Sequence, residues 1–144
     1  PLPAWVDQLR ELSEYWIHRQ QLLQALGRPS DLRADVAGPV LDGLRLAYRF
    51  RLAEIEGEPG DTVTIAVAGP VARTWFLIAA ASGWEFRDQP GQRGVAAVSM
   101  TTEQAWRLLT NNLPPAARSR IAASGDRAVL DILFRTRAII GIPQ

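Results

Sequence analysis

The sequence predicts an α+β fold, in which one long N-terminal helix precedes a mostly antiparallel sheet of about four to five strands covered by further helices. Three observations support this prediction. Apolar residues recur at spacings of three and four over residues 4–26, which is the period of an amphipathic helix. Segments rich in β-branched and aromatic residues, separated by Gly and Pro turns, follow between residues 62 and 100. Helical patterns return only after these segments, and this order is typical of α+β proteins rather than of doubly wound sheets.

The first helix should end at Gly27 and Pro29, two residues that commonly terminate helices. Its predicted buried stripe consists of Trp5, Leu9, Leu12, Trp16, Leu23 and Leu26. At about 100° per residue, the opposite face is polar and mostly acidic. That face consists of Asp7, Glu11, Glu14, His18 and Gln21. It should point to water in an isolated domain, or toward partner helices in a larger protein.

Residues 28–36 (RPSDLRADV) are polar and are predicted to form a linker or the edge of a domain. A second helix should follow, with Pro39 in its first turn. Its predicted buried stripe consists of Leu41, Leu44, Tyr48 and Leu52. Its predicted solvated stripe consists of Asp42, Arg45 and Arg49.

The sheet is predicted to contain strands at residues 62–68, 74–80, 84–87 and 95–100. The aromatic residues of these strands are expected in the core and not as a base-stacking surface; they are Trp75, Phe76, Trp84 and Phe86. A helix capped by Thr101 or Thr102 should extend to Asn112. The last helix should begin at Gly125-Asp126 and end near Gly141.

Composition limits the classes of function. The 144 residues contain no Cys, so a metal site would need His and carboxylate ligands, and a reducing compartment is expected. The 16 basic residues, all Arg, nearly balance 15 acidic ones, which argues against a general nucleic-acid binder. No apolar run is long enough for a membrane span, and no secretory signal is visible. A soluble, cytoplasmic protein that binds neither nucleic acid nor membrane is therefore expected.

Glu14 and His18 form the one constellation that could carry chemistry. At positions i and i+4 of a helix they project to the same side, where a carboxylate oxygen and an imidazole nitrogen could bind one divalent ion. From spacing alone, a solvent-facing pair that slightly stabilises the helix is the commoner outcome. Arg127, at the start of the last predicted helix, is either a helix entry residue or a contact for an anionic substrate group.

Four segments resemble the mycothiol-dependent maleylpyruvate isomerase family. The segments 14–20 (EYWIHRQ) and 25–29 (ALGRP) resemble the end of that family's DinB-like, metal-binding four-helix bundle. The segments 62–70 (TVTIAVAGP) and 124–131 (SGDRAVLD) resemble its smaller α+β domain, which is related to the sterol carrier protein fold. The resemblance implies that residues 1–28 form the last bundle helix and residues 29–144 the C-terminal domain.

The resemblance also implies a function. Glu14 and His18 match the two metal ligands on the last bundle helix, and a further histidine would come from an earlier helix that this chain lacks. The family binds zinc or a similar ion and uses it with a low-molecular-weight thiol such as mycothiol to isomerise or add to a small-molecule substrate. Arg127 matches a catalytic arginine, whereas Gln21 stands where many relatives carry an acid. The 144 residues alone should be inactive without the missing N-terminal helices.

Two alternatives come from other classes of protein. One is a non-enzymatic, sterol-carrier-like module that binds an apolar ligand between sheet and helices, or a protein partner through its first helix. The other is a homodimer formed through the stripe of Trp5, Leu9, Leu12 and Trp16, provided that the domain itself does not cover this face.

Overall fold

The structure, a computed structural model, describes residues 4–138 and confirms the α+β class. The helices are α1 (Ala4–Ala25), α2 (Ala34–Leu44), α3 (Leu46–Leu52), α4 (Thr102–Leu109), α5 (Pro115–Arg118) and α6 (Arg127–Arg135). The strands are β1 (Asp61–Ala68), β2 (Arg73–Ala80), β3 (Gly83–Arg87), β4 (Arg93–Thr101) and β5 (Ala122–Gly125). Four strands and the long first helix follow the predicted order, whereas α5 and β5 were not predicted as elements.

The five strands form one sheet in the order β3-β2-β1-β4-β5. The central pair β1 and β4 is parallel and the other neighbouring pairs are antiparallel, as expected for a mostly antiparallel sheet. Alternate residues of β1, namely Val63, Ile65 and Val67, are buried against the helices. Trp75 and Trp84 lie in the core as predicted. Phe76, however, lies half-buried on the opposite face, because neighbouring residues of a strand point to opposite sides.

The segment 34–52 forms two helices instead of the single one predicted. The first begins at Ala34, so Pro39 lies inside α2 and not in its first turn. Asp35, whose carbonyl loses its usual helical donor at Pro39, is exposed to solvent. Arg45 separates the helices, and its guanidinium lies 4.5 Å from the ring centre of Phe86. The prediction of a solvated Arg45 is therefore wrong, because cation–π contact and burial of its stem hold it against the sheet.

The buried face of α1 also differs from the prediction. The residues buried on this helix are Ser13, Trp16, Ile17 and Gln20. Three members of the predicted stripe are exposed, Trp5 by 56%, Leu12 by 39% and Leu26 by 67%. The helix approaches α2 so closely that a Cβ at Gly43 would lie 2.7 Å from the Leu9 side chain. Because Trp16 is covered by its own domain, the four-residue stripe proposed for a homodimer is not a continuous exposed surface.

The last described helix ends at Arg135, six residues before the predicted end at Gly141, which lies outside the described residues. Thr136 leaves the helical conformation with φ −61° and ψ 131°. Its buried hydroxyl donates to the Ile132 carbonyl at 2.8 Å, and the same carbonyl accepts the Thr136 amide at 2.9 Å.

A bulge in β4 connects the sheet to α6. The register of β1 against β4 shifts between Thr62 and Val63, which leaves Val95 outside the regular ladder. The Val95 carbonyl accepts a hydrogen bond from the Asp126 amide at 2.8 Å. Gly125 lies next to this bulge, opposite Ala96, and its φ is 114°. A Cβ at this position would lie 2.3 Å from the Val95 oxygen. Both the backbone conformation and the available space therefore require glycine.

Gly125→Ala should destabilise the protein by at least about 2 kcal/mol, since the substitution adds backbone strain and a clash with backbone atoms. Gly94→Ala is the matched control, because a Cβ at Gly94 meets nothing within 4 Å and its φ is not positive. Urea unfolding of both variants would measure the difference. Equal stability of the two variants would contradict the role assigned to the bulge.

Candidate metal centre

The helix that carries the candidate ligands is attached to the domain by an aromatic contact. Trp16 meets Trp106 of α4 edge to face, with 5.5 Å between ring centres and 84° between planes. Both rings are buried, and such pairs contribute about 0.5–1.5 kcal/mol beyond the area that they bury. The Trp106 indole donates to Glu103 at 3.0 Å, and Glu103 accepts from Ser30 at 2.9 Å. The ring contact and these two hydrogen bonds together join α1, α4 and the segment between α1 and α2.

Gln20 and Asp31 fix that connecting segment to α1. The Gln20 side chain is fully buried, and its Oε1 accepts from the Asp31 amide at 2.7 Å. The Asp31 carboxylate accepts hydrogen bonds from Arg19 and Arg33, and these bonds hold its pKa at about 2, well below its usual value. Arg19 has the larger effect. The predicted linker is thus an ordered connection, and its last residues already belong to α2.

Glu14 and His18 lie on the side of α1 that turns away from the domain. His18 is exposed and Glu14 is half-buried. Large exposed apolar residues flank the pair, with Tyr15 73% and Leu22 61% exposed. Across residues 4–138, no three His, Asp or Glu side chains are grouped so that they could hold a metal ion. The described chain therefore offers two adjacent ligands at most, and two ligands do not complete a zinc site.

A chain of side-chain hydrogen bonds connects His18 to the end of α4. The imidazole Nδ1 lies 3.2 Å from Gln21 Oε1, and Gln21 Nε2 donates to Asn112 Oδ1 at 3.3 Å. Asn112 donates in turn to the carbonyl and the hydroxyl of Thr110, at 3.0 and 2.8 Å. Gln21, at the position where relatives were expected to carry an acid, therefore contacts the histidine ring. Sequence reasoning missed Asn112, because it lies 91 residues from Gln21 and no local pattern marks it.

Arg127 lies on a different part of the molecule. It is the first residue of α6 and is exposed, next to Asp126, whose carboxylate accepts from the Val129 amide at 3.0 Å. The helix α6 packs on α3, β4 and β5, whereas α1 packs chiefly on α2. None of the described hydrogen bonds or ion pairs involves the Arg127 side chain, and none joins it to Glu14 or His18. Its role toward a substrate stays a prediction.

A groove of about 400 Å³ lies between the first half of α1 and α3. Its apolar lining includes Trp5, Leu9, Leu44 and Phe50. Three arginines also line it, Arg10, Arg51 and Arg137, against the single carboxylate of Asp7. Burial lowers the pKa of Arg137, and repulsion from Arg118 lowers it further. The groove was not predicted, because Trp5 and Leu9 were assigned to the buried stripe of the first helix.

No protein-family model matches the chain, and no curated protein matches it significantly. Within the described residues, every helix is too short or too polar to cross a membrane.

The depressed pKa of Asp31 gives a pH-dependent contribution to stability. Its folded pKa of about 2 lies below the ordinary aspartate pKa of 3.8, so the ionised carboxylate stabilises the fold fully at pH values above 3.8. The contribution should be lost as the pH falls from about 4 towards 2, where the folded carboxylate also becomes protonated. The Tm difference between the wild type and Asp31→Asn should therefore shrink over this range. Asp88→Asn, at an exposed carboxylate without an ion pair among the described residues, is the control and should show a smaller pH dependence.

Proposed function

We propose that this chain is the C-terminal part of a divalent-metal-dependent protein similar to the mycothiol-dependent maleylpyruvate isomerases. In this proposal α1 is the last helix of a metal-binding bundle, and residues 29–144 are the accompanying α+β domain. The observation that carries the proposal is the outer face of α1, where Glu14 and His18 lie among exposed apolar side chains. Helices with one face on a domain and a second apolar face commonly pack against further helices, and bundles hold metals with side chains from facing helices.

The donor set fits part of a zinc site. A carboxylate and an imidazole are ordinary zinc ligands, and the remaining ligands would come from helices that face α1. When bound, the ion would lower the pKa of a coordinated low-molecular-weight thiol such as mycothiol and so supply a thiolate near neutral pH. Of the chain's own residues, Arg127 is proposed to bind an anionic group of a small-molecule substrate through its guanidinium. The cytoplasm, where thiols stay reduced, is the proposed location.

Metal analysis of the protein expressed from its complete coding sequence tests this proposal. We expect about one zinc ion per chain, reduced to a small fraction in His18→Ala and in Glu14→Ala, because each variant removes one ligand. Gln8→Ala, at an exposed polar residue of the same helix, should keep the full content. The 144 residues alone should hold no stoichiometric zinc and show no thiol-dependent isomerase or transferase activity. A folded complete protein without metal would refute the proposal.

A second candidate function rests on the groove between α1 and α3. Its volume of about 400 Å³ lies in the range of small-molecule sites, and its walls are largely apolar. Arg137 is half-buried at this groove, and its Nε and Nη1 atoms donate to Asn111, Phe134 and Thr136. No described carboxylate pairs with it. A non-enzymatic module that binds an apolar molecule with one carboxylate would use the apolar walls for its body and Arg137 for its charge.

Calorimetry with a medium-chain fatty acid and the alcohol of the same chain length tests this candidate. Arg137→Gln should weaken binding of the acid by about tenfold or more and leave binding of the alcohol nearly unchanged, since only the acid carries a charge. Arg120→Gln, at an exposed arginine outside the groove, is the control. Ala47→Trp, which fills the groove, should abolish binding of both. Failure of the wild type to bind either ligand would exclude this function.

A further inference from the structure

We infer that the neutral His18 carries its proton on Nδ1 and leaves Nε2 free to bind a metal. The reason is a chain of hydrogen bonds, here called the relay, that runs from Thr110 at the end of α4 through Asn112 and Gln21 to His18 and has only one possible donor-to-acceptor direction. The two amides are then positioning residues for the imidazole. The consequence for a metal rests on the function proposed above, whereas the tautomer of the neutral ring follows from hydrogen bonding alone.

The direction of the relay begins at Thr110. Its hydroxyl donates to the Trp106 carbonyl at 2.8 Å, so the only hydroxyl proton is already used. The oxygen of this hydroxyl, 2.8 Å from Asn112 Nδ2, must therefore act as an acceptor. The backbone carbonyl of Thr110, 3.0 Å from the same nitrogen, can only accept. Two acceptors on one side fix the amide of Asn112, with its NH₂ group toward Thr110 and its oxygen toward α1.

The orientation of Asn112 fixes the orientation of the Gln21 amide, which in turn fixes the position of the proton on His18. Asn112 Oδ1 can only accept, so the Gln21 atom at 3.3 Å from it is the NH₂ group. The amide oxygen of Gln21 is then the atom that lies 3.2 Å from His18 Nδ1. This oxygen is also an obligate acceptor, so the neutral imidazole must donate from Nδ1. Its Nε2 atom keeps the lone pair.

This arrangement matches what a metal ligand needs. A histidine that binds a metal usually donates its other ring N–H to a carbonyl or carboxylate oxygen, which fixes the tautomer and the orientation of the ring. The Gln21 amide oxygen supplies such an acceptor without a negative charge. Free histidine prefers the opposite tautomer, with its proton on Nε2, so the relay makes a prediction that differs from the behaviour of an unrestrained side chain.

Nitrogen NMR of the ¹⁵N-labelled 144-residue chain tests the inference without any metal. His18 is the only histidine, so its two ring nitrogens give the only imidazole signals. In the presence of a chelator, at a pH where the ring is neutral, the wild type should show Nδ1 as the protonated nitrogen in the major form. A major form with the proton on Nε2 would overturn the inference.

Variants separate the relay from a general structural effect. Gln21→Ala should make the Nε2-protonated form the major one, and Asn112→Ala should lower the population of the Nδ1-protonated form. Gln21→Glu should retain the wild-type tautomer, and should do so even in combination with Asn112→Ala, because a carboxylate accepts from Nδ1 in either orientation. Gln24→Ala, at an exposed residue of the same helix, is the control. An unchanged tautomer in Gln21→Ala or in Asn112→Ala would refute the relay.

The complete protein links the tautomer to metal affinity. Gln21→Ala should weaken zinc binding by about 10–100-fold, the usual effect of removing an outer partner of a histidine ligand, and Gln21→Glu should restore it. If the ring shows the expected tautomer but the complete protein binds no zinc, the proposed function fails and the relay stands. If zinc binds but the wild-type ring is protonated on Nε2 before metal is added, the relay fails and the metal site stands.

Discussion

The edge-to-face contact of Trp16 with Trp106 is the constraint on which the candidate site depends. It holds α1 against α4, and α4 is also the helix whose end leads to Thr110 and Asn112. The distance between Gln21 and Asn112 is therefore set by the same packing that buries the two indole rings. Loss of this contact would lower the free energy of unfolding of the whole domain, because truncation of a buried Trp commonly costs about 3–5 kcal/mol. The outer face of α1 would then no longer have a fixed position relative to the domain.

Gln20 gives this attachment its specificity. The residue is fully buried, and its Oε1 binds the Asp31 amide while its Nε2 has no protein partner among the described residues. A buried donor without a partner costs about 1–3 kcal/mol, so an apolar residue would contribute more to stability alone. Gln20 Oε1 meets the Asp31 amide only in the observed rotation of α1, so this buried hydrogen bond favours that rotation over others. That rotation places Glu14 and His18 on the outer side.

The sequence predicted the elements well where their patterns are local, and less well where distant contacts decide the outcome. Strand alternation in β1, a cap at Thr101 or Thr102 and a helix start at Gly125-Asp126 depend on neighbouring residues. The structure confirms the alternation and the helix start, and Thr101 is the residue that caps α4. The buried face of α1 was predicted only in part. Trp16 is buried as predicted, whereas Leu12 is exposed, and Ile17 and Gln20, which were not in the predicted stripe, are buried through contacts with distant parts of the chain. The pair Glu14 and His18 could be found from its spacing. The acceptor that orients His18 could not, since it depends on a hydrogen bond across the tertiary fold.

The two edge strands of the sheet affect how strongly the isolated chain tends to aggregate. β5 contributes only four residues to one edge, and it lies between α5 and α6, which limits its length at both ends. β3, at the other edge, is five residues long and carries the charged pair Glu85 and Arg87, 2.5 Å apart. Short and charged edge strands offer few free backbone groups to a second sheet and so disfavour strand-to-strand aggregation. Self-association of the isolated chain should then occur through exposed apolar side chains of α1, such as Tyr15 and Leu22, and not through backbone pairing.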